Sequence, residues 1–242
     1  MNFMDYLKTS RFPTTWCPGC GNGTALIGIS KAFEELGLLK KNLVVVSGIG
    51  CAGRSAGYFA LDSVHALHGR SVPVAEGIKL ANDKLKVVIV SGDGDLLGIG
   101  GNHLLHASRR GTPLCIICFN NETYGMTGGQ KAPTTKLGTK TLTSPEGVCE
   151  KPVDIQSLIK PYGNFYARTT VYHADHLKKA IAAGLQHEGF AFVEVISQCI
   201  ANFGRRIGFK SAYDMLKYYK DYYKLRDDAE TLKEDEIGIT KA

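Results

Sequence analysis

Four short runs of apolar and β-branched residues recur along the chain: Leu43–Ser47, Val87–Ser91, Leu114–Phe119 and Phe192–Ser197. Each is too short for a globular helix, and none alternates strictly between apolar and polar positions. Strands buried on both faces of a parallel sheet read this way. Between them lie stretches with helical periodicity: Gly23–Leu36, Val74–Asp83, Ile99–Arg109 and His176–His187. Strands alternating with helices predict an α/β fold with a doubly wound, mostly parallel sheet. Ligands of such sheets bind beyond the carboxyl ends of the strands. The segments that follow the runs, Gly48–Cys51, Gly92–Asp95, Asn120–Thr123 and Cys199, are therefore expected on one edge, facing one site.

Two regions break the alternation. Residues 127–153 are rich in Gly, Thr, Lys and Pro and carry little periodicity, which predicts a long functional or irregular loop. Beyond residue 204, Ser211–Arg226 spaces Tyr213, Met215, Leu216, Tyr219 and Tyr223 as an amphipathic helix would. Residues 230–242 are polar and are expected to fray. The pattern thus divides the chain into one α/β domain over 1–204 and a helical tail over 205–242.

Composition narrows the class. A chain of 242 residues suits one large domain, and 44% hydrophobic with 21% charged residues is a globular balance. No apolar stretch approaches the roughly 18 residues that span a bilayer. The first residues lack an apolar core of the secretory kind. The expected place is the cytoplasm, with no membrane contact. The formal net charge of +6 is spread without a dense Lys/Arg block, so no nucleic-acid partner is expected.

The seven cysteines, an odd number, argue against a disulfide framework. Cys17 and Cys20 form a CxxC turn around Pro18 and Gly19, while Cys51 and Cys199 stand alone in other segments. In a reducing compartment such a set reads as metal-binding or redox-active. Four thiolates suit a tetrahedral zinc ion or a 4Fe–4S cluster. Structural zinc usually takes two nearby pairs. One pair plus two single residues fits a cluster better. Cys149 is the alternative to Cys199 as fourth ligand. Cys115 and Cys118, inside a strand run, read as buried thiols.

A second constellation joins the first. Asp93 lies between Gly92 and Gly94 directly after a strand run, and Asn120-Asn121 closes the next run. The glycines let the backbone approach a phosphate closely. The Asp93 carboxylate, the Asn121 side-chain oxygen and the Thr123 carbonyl could share an octahedral Mg²⁺ with diphosphate oxygens and water. This pairing resembles the diphosphate-binding signature of thiamine diphosphate enzymes.

The surrounding residues narrow the resemblance. Trp16-Cys17-Pro18-Gly19-Cys20-Gly21, Gly48–Cys51, His65–Arg70, Gly92–Asp95, Gly100–His103 and Tyr124–Gln130 together are similar to the β subunit of 2-oxoacid:ferredoxin oxidoreductases over roughly residues 10–210. Phe203–Arg206 and Met215–Lys217 look more like the members acting on 2-oxoglutarate than those acting on pyruvate. The resemblance implies a thiamine diphosphate-binding fold that holds the diphosphate end of the cofactor. It implies Asp93, Asn121 and Thr123 on Mg²⁺, and Cys17, Cys20, Cys51 and Cys199 on a 4Fe–4S cluster. Around the cofactor it implies Ile49, Gly50, Cys51, His65, His68, Gly92, Gly94, Asp95, Tyr124, Gly125, Met126 and Thr127. Arg54, three residues after Cys51, could hold the distal carboxylate of a dicarboxylic substrate.

The activity so implied is oxidative decarboxylation of a 2-oxoacid to its acyl-coenzyme A, with electrons leaving through the cluster to ferredoxin. One α/β domain has no room for the pyrimidine half of the site. A separate α subunit, with γ and δ subunits as further companions, is therefore expected. The open alternatives are a pyruvate or branched-chain 2-oxoacid enzyme, a non-redox thiamine diphosphate decarboxylase or ligase half holding zinc, and a non-enzymatic electron-transfer subunit.

Overall fold

The computed structural model describes residues 1–241. Its strands are β1 (Leu43–Ser47), β2 (Asp62–His65), β3 (Lys86–Gly92), β4 (Cys115–Asn120), β5 (Thr123–Tyr124), β6 (Gln130–Lys131), β7 (Phe165–Thr170), β8 (Ala191–Ile196), β9 (Lys224–Leu225) and β10 (Glu236–Ile239). The helices are α1 (Asn22–Glu35), α2 (Ser71–Ala81), α3 (Gly101–Arg110), α4 (Ile155–Ile159), α5 (Ala174–Gln186) and α6 (Ala212–Tyr222). The main sheet runs β2-β1-β3-β4-β8-β7-β10-β9, and β5 and β6 form a small separate hairpin. Neighbours in the main sheet are parallel except β10, which is antiparallel to β7.

The apolar strand runs look unbroken because both faces are covered. Leu43, Val45, Val88, Val90, Ile117 and Phe119 point to one face and pack beneath α1 and α5. Val44, Val46, Val87, Ile89, Ile116 and Phe192 point to the other, beneath α2, α3 and α4. This is the doubly wound sheet the pattern predicts. Its two helical layers leave the carboxyl ends of β1, β3, β4 and β8 pointing the same way.

Where observed elements differ from expected ones, the reasons are local. Strand β2 has no buried residue and carries no apolar signal. Strand β7, Phe165–Thr170, is too polar to resemble the other runs. The helix expected from Ile99 begins at Gly101, because the chain first makes a wide turn over Gly94–Ile99. The 127–153 stretch is irregular as expected, yet it is packed: Ala132, Thr134, Thr135, Thr141 and Val148 are buried.

The tail departs most. Helix α6 lies where expected and buries Met215 and Tyr219. Beyond it, residues 230–241 are not frayed. Gly238 and Ile239 pair with Arg168 and Ala167 of β7, and Ile237 is fully buried. Strand β10 is four residues long among charged neighbours, too short for an alternation to show. Residue 242 lies outside the described residues. Ile237→Ala should destabilise the protein by about 2–4 kcal/mol, the cost of a buried cavity. A urea denaturation shift below about 0.5 kcal/mol, typical of exposed positions, would contradict the docked tail.

Candidate functional site

The site is built where β1, β3 and β4 end. After β3 the chain turns at Asp93, whose carboxylate is 1% exposed. Thr134 donates its hydroxyl to Asp93 Oδ2. Burial pushes the Asp93 carboxyl up to about 6, against hydrogen bonds from Thr134 and from the backbone N–H groups of Asn121 and Gly94. A carboxylate held this way, beside the Asn121 amide, is poised to gain from a hard divalent cation. Asn121 Oδ1 accepts the Thr123 N–H at 3.2 Å and the Thr123 carbonyl accepts the Gly125 N–H at 3.0 Å, leaving lone pairs on both oxygens.

Asp95, 2% exposed, braces the neighbouring loops. Its Oδ1 accepts the backbone N–H of Ile49 at 3.0 Å and of Gly69 at 2.8 Å, and lies 2.5 Å from His68 Nδ1. Its Oδ2 accepts the Ser91 hydroxyl at 2.8 Å. A carboxylate only accepts, so His68 carries a proton on Nδ1. A side chain at Gly48 would collide with the Asp95 carboxylate.

A cavity of about 150 Å³ lies over this floor. Its wall includes Ile49, Gly50, Cys51, His68, Gly92, Asp93, Gly94, Asp95, Asn121, Thr123, Tyr124, Gly125, Met126 and Thr127. Tyr124 closes it by donating its hydroxyl to the Gly94 carbonyl at 3.0 Å. Gly50, at φ +108, can take this turn without strain. The glycine turns and oxygen donors suit a diphosphate and its cation. His65 sits outside this lining, at the exposed end of β2 near Gly53.

A second cavity of about 200 Å³ brings together Cys17, Cys20, Cys51 and Cys199, from three separate stretches of chain. Trp16 seals it, donating Nε1–H to the Cys51 carbonyl at 2.7 Å. Asn202 ties the segment after Cys199 to the Gly125 carbonyl at 2.7 Å. A Cβ on Gly125 would sit 3.1 Å from the Cys199 sulfur. Burial pushes the Cys20 thiol up to about 12, and the other three sulfurs add to the rise. Burial also raises Cys51 and Cys199. Crowded thiols of this kind ionise when a cationic centre joins them. Among the described residues no three Cys, His, Asp or Glu side chains converge closely enough for one bare ion. The thiols instead ring a space with room for a cluster.

Arg54 lines the cysteine cavity and donates Nη1–H to Thr15 Oγ1 at 3.3 Å. Cys149 lies elsewhere, exposed, with its sulfur 3.7 Å from the Gly147 carbonyl. Cys115 and Cys118 are buried in β4, as expected. Thr134, Asn202 and Ser91 were not foreseen. No motif marks them, since only the fold brings each to its partner.

The fold and this glycine-and-carboxylate floor define a thiamine diphosphate-binding domain. Residues 48–195 match the family described as "Thiamine pyrophosphate enzyme, C-terminal TPP binding domain". The chain is 44% identical over 220 residues to 2-oxoglutarate synthase subunit KorB of Methanothermobacter marburgensis, covering 90% of this chain and 77% of that one. It is 45% identical over 242 residues to its namesake in Archaeoglobus fulgidus, covering 99% and 88%. It is also similar to the solved 2-oxoglutarate:ferredoxin oxidoreductase from Magnetococcus marinus with 2-oxoglutarate, coenzyme A and succinyl-CoA bound. That match has a TM-score of 0.85 and 33% identity, and it covers 96% of this chain and 76% of that chain. The chain belongs to the family of 2-oxoacid:ferredoxin oxidoreductase β subunits.

One pH prediction follows from Asp93. Its folded pKa, about 6, lies above the ordinary 3.8, so the folded state binds the extra proton. The stability this gives is complete below about pH 4 and is lost as pH rises through about 6. In metal-free protein, Asp93→Asn should therefore gain Tm relative to the unmodified chain as pH rises from about 4 to 7. Parallel Tm profiles would contradict the buried carboxyl.

Proposed function

We propose that this chain is the β subunit of a 2-oxoglutarate:ferredoxin oxidoreductase. The reaction oxidatively decarboxylates 2-oxoglutarate to succinyl-coenzyme A with thiamine diphosphate, Mg²⁺ and a 4Fe–4S cluster, and passes electrons to ferredoxin. The observation that carries this reading is that the two cavities share walls. Cys51, Asn121, Gly125 and Met126 line both the diphosphate cavity and the thiol cavity. A carbanion-forming cofactor and an electron acceptor would then be neighbours separated by single side chains.

Bound thiamine diphosphate supplies an electron sink that lets the 2-oxoacid lose CO₂. The protein's part is to hold and orient. Asp93, Asn121 and the Thr123 carbonyl hold Mg²⁺, which neutralises the diphosphate. The backbone from Gly125 to Thr127 and the Ile49–Gly50 turn cradle its oxygens. His68, fixed by Asp95, lines the same cavity. Cys17, Cys20, Cys51 and Cys199 hold the cluster, with Trp16 excluding water on one side. The α subunit brings the activating carboxylate and most of the coenzyme A site, and γ and δ subunits would complete the assembly. The names of the relatives support this reading, since KorB proteins are subunits of 2-oxoglutarate synthases.

The test is iron, zinc and acid-labile sulfide analysis of the anaerobically purified complex. About four irons and four sulfides per β chain are expected for one 4Fe–4S cluster. Stoichiometric zinc without sulfide would leave a non-redox thiamine diphosphate enzyme. Substrate choice is tested separately. Arg54 lines the thiol cavity and spends one long hydrogen bond on Thr15, which leaves guanidinium N–H groups for a carboxylate. Arg54→Ala should raise KM for 2-oxoglutarate at least tenfold, the cost of about 1.4 kcal/mol of charge-assisted bonding. KM for pyruvate should change little. Equal effects on both substrates would remove Arg54 from carboxylate recognition.

A further inference from the structure

Behind the cation ligands lies a buried polar relay that the reaction itself does not use. Strands β4, β8 and β7 are neighbours, and Glu194 of β8 sits in register with Cys118 of β4 and Arg168 of β7. Two residues along on β4, the Asn120 side chain reaches the same sheet face. Glu194 is 3% exposed, and its carboxylate is fully engaged. Arg168 Nε donates to its Oε2 at 2.8 Å, the Tyr166 hydroxyl donates to the same oxygen, and Asn120 Nδ2 donates to Oε1 at 2.7 Å. The Arg168 guanidinium, the Tyr166 and Asn120 donors together outweigh burial and hold the Glu194 carboxyl below its ordinary range.

Asn120 then works in both directions. Its Nδ2 must face Glu194, because a carboxylate can only accept. Its Oδ1 is thereby turned to accept the Glu122 N–H at 3.1 Å. Glu122 stands at φ +58, the left-handed region, which a residue with a Cβ adopts at a cost of about 1–2 kcal/mol. Thr135 holds the other side of the same residue, donating its hydroxyl to the Glu122 carbonyl at 2.6 Å. Asn121 and Thr123, the two ligands this loop would give to the cation, flank Glu122 directly.

We infer that Glu194, anchored by Arg168, positions the cation loop through Asn120, while Tyr166, bonded to the carboxylate oxygen that Asn120 does not use, serves stability alone. Asn120 keeps Glu122 in its left-handed turn, and this turn aims Asn121 and Thr123 at the metal. Glu194, Arg168 and Asn120 are positioning residues, and none of them touches the cofactor. The inference rests on the Mg²⁺–diphosphate reading proposed above. It adds that the metal affinity of the site is set from the far side of strand β4.

The test titrates Mg²⁺ into the metal-free complex at fixed thiamine diphosphate, reading cofactor binding by calorimetry and Tm in parallel. Asn120→Ala should raise the half-saturating Mg²⁺ concentration about 10–100-fold, as removing support from a metal ligand does elsewhere. Tyr166→Phe removes a different hydrogen bond from the same carboxylate. It should lower Tm while leaving the Mg²⁺ requirement within about twofold. Adding Glu122→Gly to Asn120→Ala should recover most of the affinity, because glycine takes positive φ unaided. Thr135→Val, which loosens the same residue from its other side, should weaken Mg²⁺ binding even if Asn120→Ala does not fold. An unchanged Mg²⁺ requirement in Asn120→Ala overturns the inference, as does an equal shift in Tyr166→Phe or a failed glycine rescue. If the unmodified complex binds thiamine diphosphate without any Mg²⁺ dependence, the cation site itself falls, and the relay with it.

Discussion

Asp95 is the constraint around which the site is organised. A fully buried carboxylate is costly unless every lone pair finds a donor. Here the donors come from three places: Ile49 after β1, His68 and Gly69 after β2, and Ser91 within β3. Satisfying that one charge draws the loops after β1 and β2 onto the end of β3. Loops at sheet edges are otherwise the most mobile parts of a fold. The cost of burying Asp95 is thereby turned into fixed positions for the glycine turns and for His68.

Around that point the two candidate sites are joined by shared backbone rather than by proximity alone. The Cys51 carbonyl accepts the Trp16 indole, and the Gly125 carbonyl accepts the Asn202 amide. Each bond ties a segment next to a thiol to a segment of the diphosphate cavity. Loading one site should therefore stiffen the other. Burial, with the neighbouring sulfurs adding to it, raises the resistance of Cys20, Cys51 and Cys199 to ionisation, and a cationic centre would relieve it. Buried Asp93 has the same character toward a divalent cation. Both halves of the site are thus strained in the direction their proposed occupants would relax.

Much of this was legible in the sequence, for reasons that differ by element. The four buried strands announce themselves because both faces are apolar, as at Leu43–Ser47. The chemistry announces itself because CxxC, Gly-Asp-Gly and Asn-Asn are short and local. Cys199 is placed by the strand pattern, which puts it at the same edge. Strand β2 was invisible because all four of its residues are exposed. Strand β7 was hidden by Arg168 and its threonines, polar residues whose partners lie on other elements: Glu194 for Arg168, His176 for Thr169 and His173 for Thr170. Thr134 could not be assigned from sequence, since its tie to Asp93 exists only once the 127–153 loop has packed. Among the described residues no helix is long and apolar enough to cross a membrane, which agrees with the hydropathy of the chain.

The central claim is that electrons from the substrate carbon reach the thiol-bound centre across the shared wall. The direct measurement is the visible and electron paramagnetic resonance spectrum of the anaerobic complex. It would be recorded before and after adding 2-oxoglutarate with thiamine diphosphate and Mg²⁺, in the absence of ferredoxin. The account predicts bleaching of an iron–sulfur absorbance and appearance of a reduced-cluster signal that requires both cofactor and substrate. A complex with its full complement of iron and sulfide, cofactor bound, and no spectral change on adding 2-oxoglutarate would contradict it.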